Sequence, residues 1–97
     1  MRIATWNING LKARKEYLAL WLNERQPDLV GLQELKMQDN DFPHEFFENL
    51  GYQALVYGQK SWNGVAILTK IDGTLKTKGL KDQESFGSRL ITAQFDN

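Results

Sequence analysis

The sequence has no cysteine, little proline, no net charge and no long apolar run. The absence of cysteine excludes a disulfide scaffold and any zinc or iron–sulfur site with cysteine ligands. Two prolines and eight glycines in 97 residues exclude collagen-like and low-complexity chains. No apolar stretch reaches the roughly 18–20 residues of a membrane span, and the N-terminus lacks a signal-peptide pattern. We therefore expect a cytoplasmic protein that does not enter a membrane.

The charges balance, because 12 Lys and Arg offset 12 Asp and Glu and the pI is about 6.6. A small domain that binds nucleic acid by charge alone is usually basic, so any contact with DNA must come from a local patch. With 41% hydrophobic and 25% charged residues, the composition is that of a globular protein. At this length the core is thin, and we expect one small domain or part of a larger one.

The first third of the chain predicts a βαβ unit. The apolar spacing changes from strand-like over 2–7 to helical over 13–25, and Pro27 ends the helix. The nearly continuous apolar run over 28–34 is typical of a strand in a parallel sheet covered by helices. The length of this segment is that of one βαβ unit.

The remaining sequence predicts one more helix and four strands. The helix is expected over 42–50, with Pro43 in its first turn and Gly51 at its end. The strands are expected at 52–58, 64–70, 74–79 and 88–96. Because short polar or glycine-containing links join them, at least some should pair antiparallel.

Two polar residues stand at the ends of the first two predicted strands, Asn7 and Glu34. In a parallel pair both side chains lie at the carboxyl edge of the sheet, where open α/β sheets bind ligands. Their oxygens suit Mg²⁺, which usually takes one or two carboxylates and keeps several waters. Mg²⁺ in turn neutralises charge in phosphate chemistry. The structural alternative is that Asn7 caps a turn and Glu34 is a solvated strand end.

Four segments in register resemble the exonuclease III family of apurinic/apyrimidinic (AP) endonucleases. They are residues 3–14, 27–36, 57–68 and 89–95, and the second contains Leu-Gln-Glu-Leu-Lys where the family has Leu-Gln-Glu-Thr-Lys. The resemblance covers essentially all 97 residues. It implies an α/β fold, the N-terminal part of a four-layer α/β sandwich in the endonuclease/exonuclease/phosphatase superfamily. In this part we expect a mixed sheet that begins with the βαβ unit.

The resemblance also implies a Mg²⁺- or Mn²⁺-dependent phosphodiesterase that cuts double-stranded DNA 5′ of abasic sites and trims 3′ ends. Glu34 matches the family's metal-ligand Glu, and Asn7 matches the catalytic Asn beside the metal. Asn9 sits where relatives carry Asp or Asn near the same ion. Leu35 departs from the usual Thr, which removes a hydroxyl next to the ligand Glu and is expected to loosen its support.

The same resemblance supplies candidate DNA contacts. Lys12 and Ala13 match loop positions that meet the DNA backbone, and Arg14 lies beside them. Trp62 falls where relatives carry an aromatic residue on a DNA-facing loop. The alternative for Trp62 is that its ring folds back on the core. Arg89 is interpreted as a structural partner of a neighbouring acid.

The family's catalytic Tyr, its Asp-x-Asn motif and its C-terminal Asp-His pair lie beyond the matched region. We therefore interpret residues 1–97 as a single incomplete domain, inactive alone, from an enzyme that is a monomer when complete. The sheet face that should meet the second sheet is expected to be exposed. Two alternatives stay open: a catalytically inactive fragment, and a superfamily phosphodiesterase that acts on a phosphoester other than DNA.

Overall fold

A computed structural model describes residues 1–95 and shows two sheets and two α-helices. The strands are β1 (Ile3–Asn7), β2 (Leu29–Gln33), β3 (Gln53–Tyr57), β4 (Val65–Thr69), β5 (Gly73–Lys78) and β6 (Ile91–Phe95). The helices are α1 (Leu11–Arg25) and α2 (His44–Glu48), with 3₁₀ turns at Asp39–Asp41 and Glu84–Phe86. The main sheet has the order β1-β2-β4-β3, and β5 and β6 form a separate antiparallel pair. The predicted α/β class with a mixed sheet is confirmed.

The predicted βαβ unit is confirmed, with each strand shorter than expected by one residue at one or both ends. β1 and β2 run parallel in a register that pairs Ile3 with Leu29 and Asn7 with Gln33. At the start of the pair, the Arg2 carbonyl accepts hydrogen bonds from two backbone N–H groups, those of Asp28 and Leu29. β4 pairs antiparallel with β3, as the short link between them predicted, and it also pairs antiparallel with β2, which the sequence did not predict.

Helix α1 begins two residues earlier than the predicted start at residue 13. Leu11 is fully buried, and its N–H donates to the Leu35 carbonyl while the Gly10 N–H donates to the Glu34 carbonyl. These bonds satisfy N–H groups at the start of the helix that have no intrahelical partner. The helix start is therefore held by the loop after β2 and by no side-chain cap.

Helix α2 is two residues shorter than the predicted 42–50 at each end, because the chain enters the α-helix only at His44, with Pro43 as the N-cap, and leaves it after Glu48. Phe42 is extended, with φ −70° and ψ 129°. A residue that precedes proline is sterically disfavoured in the helical region, and Pro43 imposes this on Phe42. The prediction of a helix from Phe42 was therefore wrong at its start.

The core lies on the side of the main sheet that the helices cover. Its strand members alternate along each strand, as a half-covered sheet requires, and they are Val30, Leu32, Val56, Ala66 and Leu68. On the opposite face Ile3 is 70% exposed and Thr5 is exposed, while Leu29 and Ile67 are half-buried. Leu55, which is opposite Ile67 on the same face, is buried. Within residues 1–95 the prediction that this second face is exposed therefore holds only for the part of it around Ile3 and Thr5.

Polar contacts hold the β5–β6 pair against the main sheet. The Gln53 amide both accepts from the Gly73 N–H and donates to the Gly73 carbonyl. Asp39 accepts from the Gly58 N–H and forms an ion pair of 3.0 Å with Lys78. Residue 96 of the predicted last strand lies outside the described residues. In the described part of the chain, no helix has the length and apolar character needed to cross a bilayer.

Candidate functional site

The parallel pairing of β1 and β2 brings Asn7 and Glu34 together at the carboxyl edge of the sheet. Asn7 is opposite Gln33, so Glu34 follows one residue beyond the last paired position. The Asn7 Nδ2 donates a hydrogen bond of 2.6 Å to Glu34 Oε2. A bond to a carboxylate is stronger than one between neutral groups. The juxtaposition predicted from the strand ends is therefore present, with the Asn amide oriented by the carboxylate.

A second hydrogen bond fixes which way the Asn7 amide faces. Its Oδ1 accepts from the Asn9 backbone N–H at 3.2 Å, in a local turn of the kind that Asn side chains favour. Turning the amide over would set its oxygen against the Glu34 carboxylate and its NH₂ against another N–H. Asn7 therefore caps the turn, as the structural alternative proposed, and it also positions Glu34.

Main-chain hydrogen bonds hold together the loops that carry these residues. The bonds are Ile8 N to Gln33 O (2.9 Å), Gly10 N to Glu34 O (2.8 Å), Leu35 N to Gly64 O (3.0 Å), Lys36 N to Asn63 O (2.9 Å) and Gly64 N to Ser88 O (2.8 Å). They connect the loop after β1, the loop after β2, the loop before β4 and the loop before β6. We call this network the loop frame, and it fixes the position of Glu34 from both sides.

The loop after β2 alternates side chains between the core and the surface. Glu34 and Lys36 both have left-handed backbone, with φ 57° and 59°, while Leu35 between them is fully buried in the core. Leu35 packs closely against the backbone of Gly64, because a Cβ added at Gly64 would lie only 3.0 Å from the Leu35 Cβ. The expectation that Leu35 loosens the support of Glu34 was wrong, because residue 35 packs in the apolar core, away from the carboxylate.

A cavity of about 170 Å³ opens beside the Asn7–Glu34 pair, and it brings in a residue that the sequence reasoning assigned elsewhere. Its lining includes Asn63, Ser88 and Arg89. Within residues 1–95 Arg89 forms no ion pair with an acid, contrary to the structural role expected for it. The lining of the cavity therefore includes one acidic residue, Glu34, and one basic residue, Arg89. No local pattern could have placed Arg89 there, since Ser88 reaches the site through its bond to Gly64.

The side chain of Asn9 already accepts a hydrogen bond from a lysine ammonium group. Its Oδ1 accepts from the Lys36 Nζ at 2.5 Å, and its backbone carbonyl accepts from the Arg14 guanidinium at 2.6 Å. Asn9 has φ 48°, a conformation that Asn tolerates better than most residues. A role of Asn9 at the metal stays a prediction, and in this structure its oxygen binds Lys36.

The predicted DNA contacts lie at the start of helix α1 and in the loop between β3 and β4. Lys12 and Ala13 are exposed in the first turn of α1, and Arg14 is half-buried with its guanidinium bound to the Asn9 carbonyl. Trp62 is 69% exposed in the loop between β3 and β4. The alternative that the Trp62 ring folds back on the core is excluded by this exposure. Whether these residues bind DNA stays a prediction.

The donor chemistry of the edge fits a hard divalent cation. Glu34 uses one carboxylate oxygen for Asn7, and a carboxylate can accept at about four lone-pair positions. Within residues 1–95 no three His, Asp or Glu side chains converge as a ready-made metal cage. A single carboxylate supplemented by waters is a pattern that Mg²⁺ accepts. Glu34 is therefore the residue that would hold such an ion, and Asn7 would orient the Glu34 carboxylate.

Known structures resemble this geometry closely. An AP endonuclease from Archaeoglobus fulgidus superposes with a TM-score of 0.91 at 33% identity, covering 98% of this chain and 37% of that protein. A 3′ phosphatase from Neisseria, solved with a product DNA hairpin, gives a TM-score of 0.85 at 34% identity, covering 98% of this chain and 37% of that protein. The fold thus matches the N-terminal part of the AP endonuclease fold.

The sequence comparisons agree with the structural ones. The chain is 42% identical over 97 residues to exodeoxyribonuclease III of Haemophilus influenzae. The aligned region covers 99% of this chain and 36% of the relative. The chain therefore spans about a third of the length of the curated relatives it matches. The resemblance to exonuclease III proteins found in four segments is confirmed. Because the family model matches residues 4–89, the chain belongs to the endonuclease/exonuclease/phosphatase family.

Proposed function

We propose that the protein carrying this chain is a divalent-metal-dependent DNA phosphodiesterase, which cuts 5′ of abasic sites and trims 3′ ends. The observation that carries the proposal is the Asn7–Glu34 pair, which opens on the cavity that Arg89 lines. A phosphodiester needs charge neutralisation at its oxygens as it is cut. The edge offers a carboxylate for a cation and a guanidinium for the phosphate itself.

Each residue has a distinct part in this proposal. Glu34 holds Mg²⁺ or Mn²⁺, and the bound ion supplies charge neutralisation at the phosphate. Asn7 keeps the carboxylate in place through its 2.6 Å hydrogen bond. Arg89 binds a phosphate oxygen through its planar fork of N–H donors. DNA as the substrate is supported by the relatives, since the 3′ phosphatase from Neisseria was solved with a product DNA hairpin.

We further propose that residues 1–97 form part of one incomplete domain and have no turnover alone. Hydrolysis also needs an activated water and an aligned leaving group. The described cavity presents no His, and its one carboxylate is assigned to the cation. The proposed activity therefore belongs to the natural protein that carries this sequence.

The test is Glu34→Gln in that natural protein, assayed on a DNA duplex with one abasic-site analogue and on a duplex with a 3′ phosphate. We expect cleavage to fall by more than about 100-fold, since loss of groups that merely support a metal ligand costs about 10–100-fold. The matched control is Glu48→Gln, an exposed carboxylate at the end of α2. Unchanged cleavage by the Glu34 variant would contradict the proposal.

The alternative substrate class is tested with the same two proteins. An inositol phosphate and a phospholipid are offered in place of DNA at the same Mg²⁺ concentration. We expect turnover of DNA and none of the other two. Turnover of a non-DNA phosphoester that Glu34→Gln abolishes, with no action on DNA, would keep the metal site and replace the substrate.

A further inference from the structure

Arg89 lies at the end of a loop that has little regular structure. The loop joins β5 to β6 over residues 79–90, and its regular part is the 3₁₀ turn Glu84–Phe86. Arg89 itself is exposed and forms no ion pair within residues 1–95. The place of its guanidinium in the cavity therefore depends on how the backbone next to it is held.

Gln59, in the loop before β4, holds the backbone just before Arg89. Its Oε1 accepts a hydrogen bond of 2.8 Å from the Ser88 N–H. The Ser88 hydroxyl donates to the Gly58 carbonyl at 2.8 Å, and the Ser88 carbonyl accepts from the Gly64 N–H at 2.8 Å. Ser88 is 4% exposed, so all three polar groups of a buried residue bind the loop before β4. We call the two bonds from Ser88 to Gly58 and Gln59 the Gln59 bridge.

The Gln59 side chain is oriented for this contact. Its Oε1 also accepts from the Asn63 Nδ2 at 3.1 Å, and turning the amide over would set its NH₂ group against both donors. The backbone of Gly87 passes close by, because a Cβ added there would lie 2.7 Å from Gln59 Oε1 and 2.8 Å from Asn63 Nδ2. Gly87 also has φ 80°, which glycine adopts at no steric cost. A glycine at position 87 therefore lets the two loops come this close.

We propose that Gln59 is a positioning residue for the reaction, which acts through Ser88 to set the place of Arg89 beside the phosphate. This inference rests on the proposed function and adds to it a residue that does not line the cavity. A guanidinium donates from a rigid planar fork, so its contact with a phosphate depends on geometry. A misplacement of about 1 Å at an active site can cost about 100-fold in rate. Loss of the Gln59 bridge should therefore weaken the phosphate contact while the charge of Arg89 is kept.

The test is a double-mutant cycle between Gln59→Leu and Arg89→Gln in the natural protein that carries this sequence. The ratio kcat/KM is measured on a DNA duplex with a 3′ phosphate in saturating Mg²⁺. We expect Gln59→Leu to lower kcat/KM by about threefold to tenfold while Arg89 is present, within the range for residues coupled through shared contacts. In the Arg89→Gln background the same change should have no further effect. An equal loss in both backgrounds would overturn the proposal, as would no loss in either.

The matched control is Gln53→Leu. The Gln53 amide also joins two segments of the chain, since it binds both the N–H and the carbonyl of Gly73, but it does not line the cavity. We expect both Gln variants to unfold at lower urea concentration, and only Gln59→Leu to change kcat/KM. If Gln53→Leu lowers kcat/KM as much as Gln59→Leu does, the effect belongs to the stability of the fold and the positioning role is wrong.

Ser88→Ala decides the question if Gln59→Leu does not fold. It removes only the hydroxyl that donates to Gly58 and keeps the Ser88 N–H on Gln59. We expect kcat/KM to fall by about twofold to fivefold while Arg89 is present and to stay unchanged in the Arg89→Gln background. The same loss in both backgrounds, or no loss at all, would contradict the Gln59 bridge.

This inference and the proposed function fail in different experiments. If Arg89→Gln leaves cleavage unchanged while Glu34→Gln abolishes it, the proposed function survives and the role of Gln59 is lost. If Glu34→Gln leaves cleavage unchanged while Gln59 and Arg89 are coupled in the cycle, the proposed function alone is contradicted.

Discussion

The Asn7 side chain donates a 2.6 Å hydrogen bond to Glu34 across the carboxyl ends of two parallel strands, 27 residues apart in the sequence. The same amide accepts from the Asn9 N–H, so both of its polar atoms are engaged. A carboxylate held in this way meets a cation in one orientation. The structure therefore gives Asn7 a contact with Glu34, through which it would orient that carboxylate toward the proposed metal.

We predict that Asn7→Ala lowers Mg²⁺ affinity and cleavage by about 10–100-fold, the range for residues that orient a metal ligand. Metal affinity is measured by titration calorimetry and cleavage on the abasic duplex. The control is Gln33→Ala, one residue before Glu34, whose amide binds the Thr5 hydroxyl at 2.8 Å. If both variants bind Mg²⁺ like the unmodified protein, the positioning role of Asn7 is wrong.

Arg89→Gln is predicted to weaken substrate binding by at least about tenfold, since a hydrogen bond from a charged donor contributes about 1.5–3 kcal/mol. Arg89 lines the cavity with Glu34, and its guanidinium has no acid partner among residues 1–95. KM and kcat are measured with DNA that carries a 3′ phosphate. Arg89→Lys should restore part of the loss because it keeps the charge, and no change in either constant would exclude a phosphate contact.

Gly58→Ala is predicted to destabilise the fold by about 1–3 kcal/mol, as overpacking does. An added Cβ would meet backbone on several sides, including the Asp39 N at 2.8 Å. The control is Gly31→Ala, whose Cβ would meet only side chains, at 3.5 Å or more, and should cost less than about 1 kcal/mol. Urea unfolding measures both. Equal costs would show that the backbone around Gly58 moves aside easily.

Tyr52 makes stability depend on pH in the alkaline range. Burial, and then the charge of Asp28, raise the pKa of Tyr52 above its usual value of 10.0, and its hydroxyl donates to the Pro27 carbonyl at 2.6 Å. The unfolded chain loses this proton first as pH rises. The stabilisation is therefore full below about pH 10 and falls above it, by up to about 1.4 kcal/mol per pH unit.

We predict that Tyr52→Phe lowers the free energy of unfolding near neutral pH by about 1–3 kcal/mol, because the Pro27 carbonyl loses its side-chain donor. The variant should also lose stability less steeply than the unmodified protein above about pH 10. Urea unfolding at a series of pH values compares the two proteins. Parallel pH curves would show that Tyr52 is not the group responsible.

Local patterns in the sequence predicted what short-range physics decides. The change of apolar period gave β1, α1 and β2, and their parallel pairing put Asn7 beside Glu34. The start of α1 was missed because its first N–H groups are satisfied by carbonyls 24 residues away in the loop after β2. The position of Arg89 was also missed because it depends on a long-range main-chain bond, the one from Gly64 N to the carbonyl of the neighbouring Ser88.

The helix predicted at 42–50 begins later than expected, whereas α1 begins earlier. The apolar residues Phe46, Phe47 and Leu50 suggested a continuous helical face, whereas Pro43 acts on the conformation of Phe42 and delays the helix. The ion pair between Lys78 and Asp39, by contrast, joins residues that are 39 positions apart in the sequence. Composition and periodicity carry no information about such a pair.

The loop frame has a consequence for hydrogen exchange and for variation of the sequence. Its bonds join main-chain atoms, so the amides of Gly10, Leu35, Lys36 and Gly64 should resist exchange as one cooperative unit, although none lies in a strand. The exposed side chains of Lys12 at the start of α1 and of Ser61 and Trp62 in the loop before β4 take no part in these bonds. A library that randomises those three positions should therefore return mostly folded proteins. Their loops should keep the same spacing, while their preference for ligands should differ from one variant to the next.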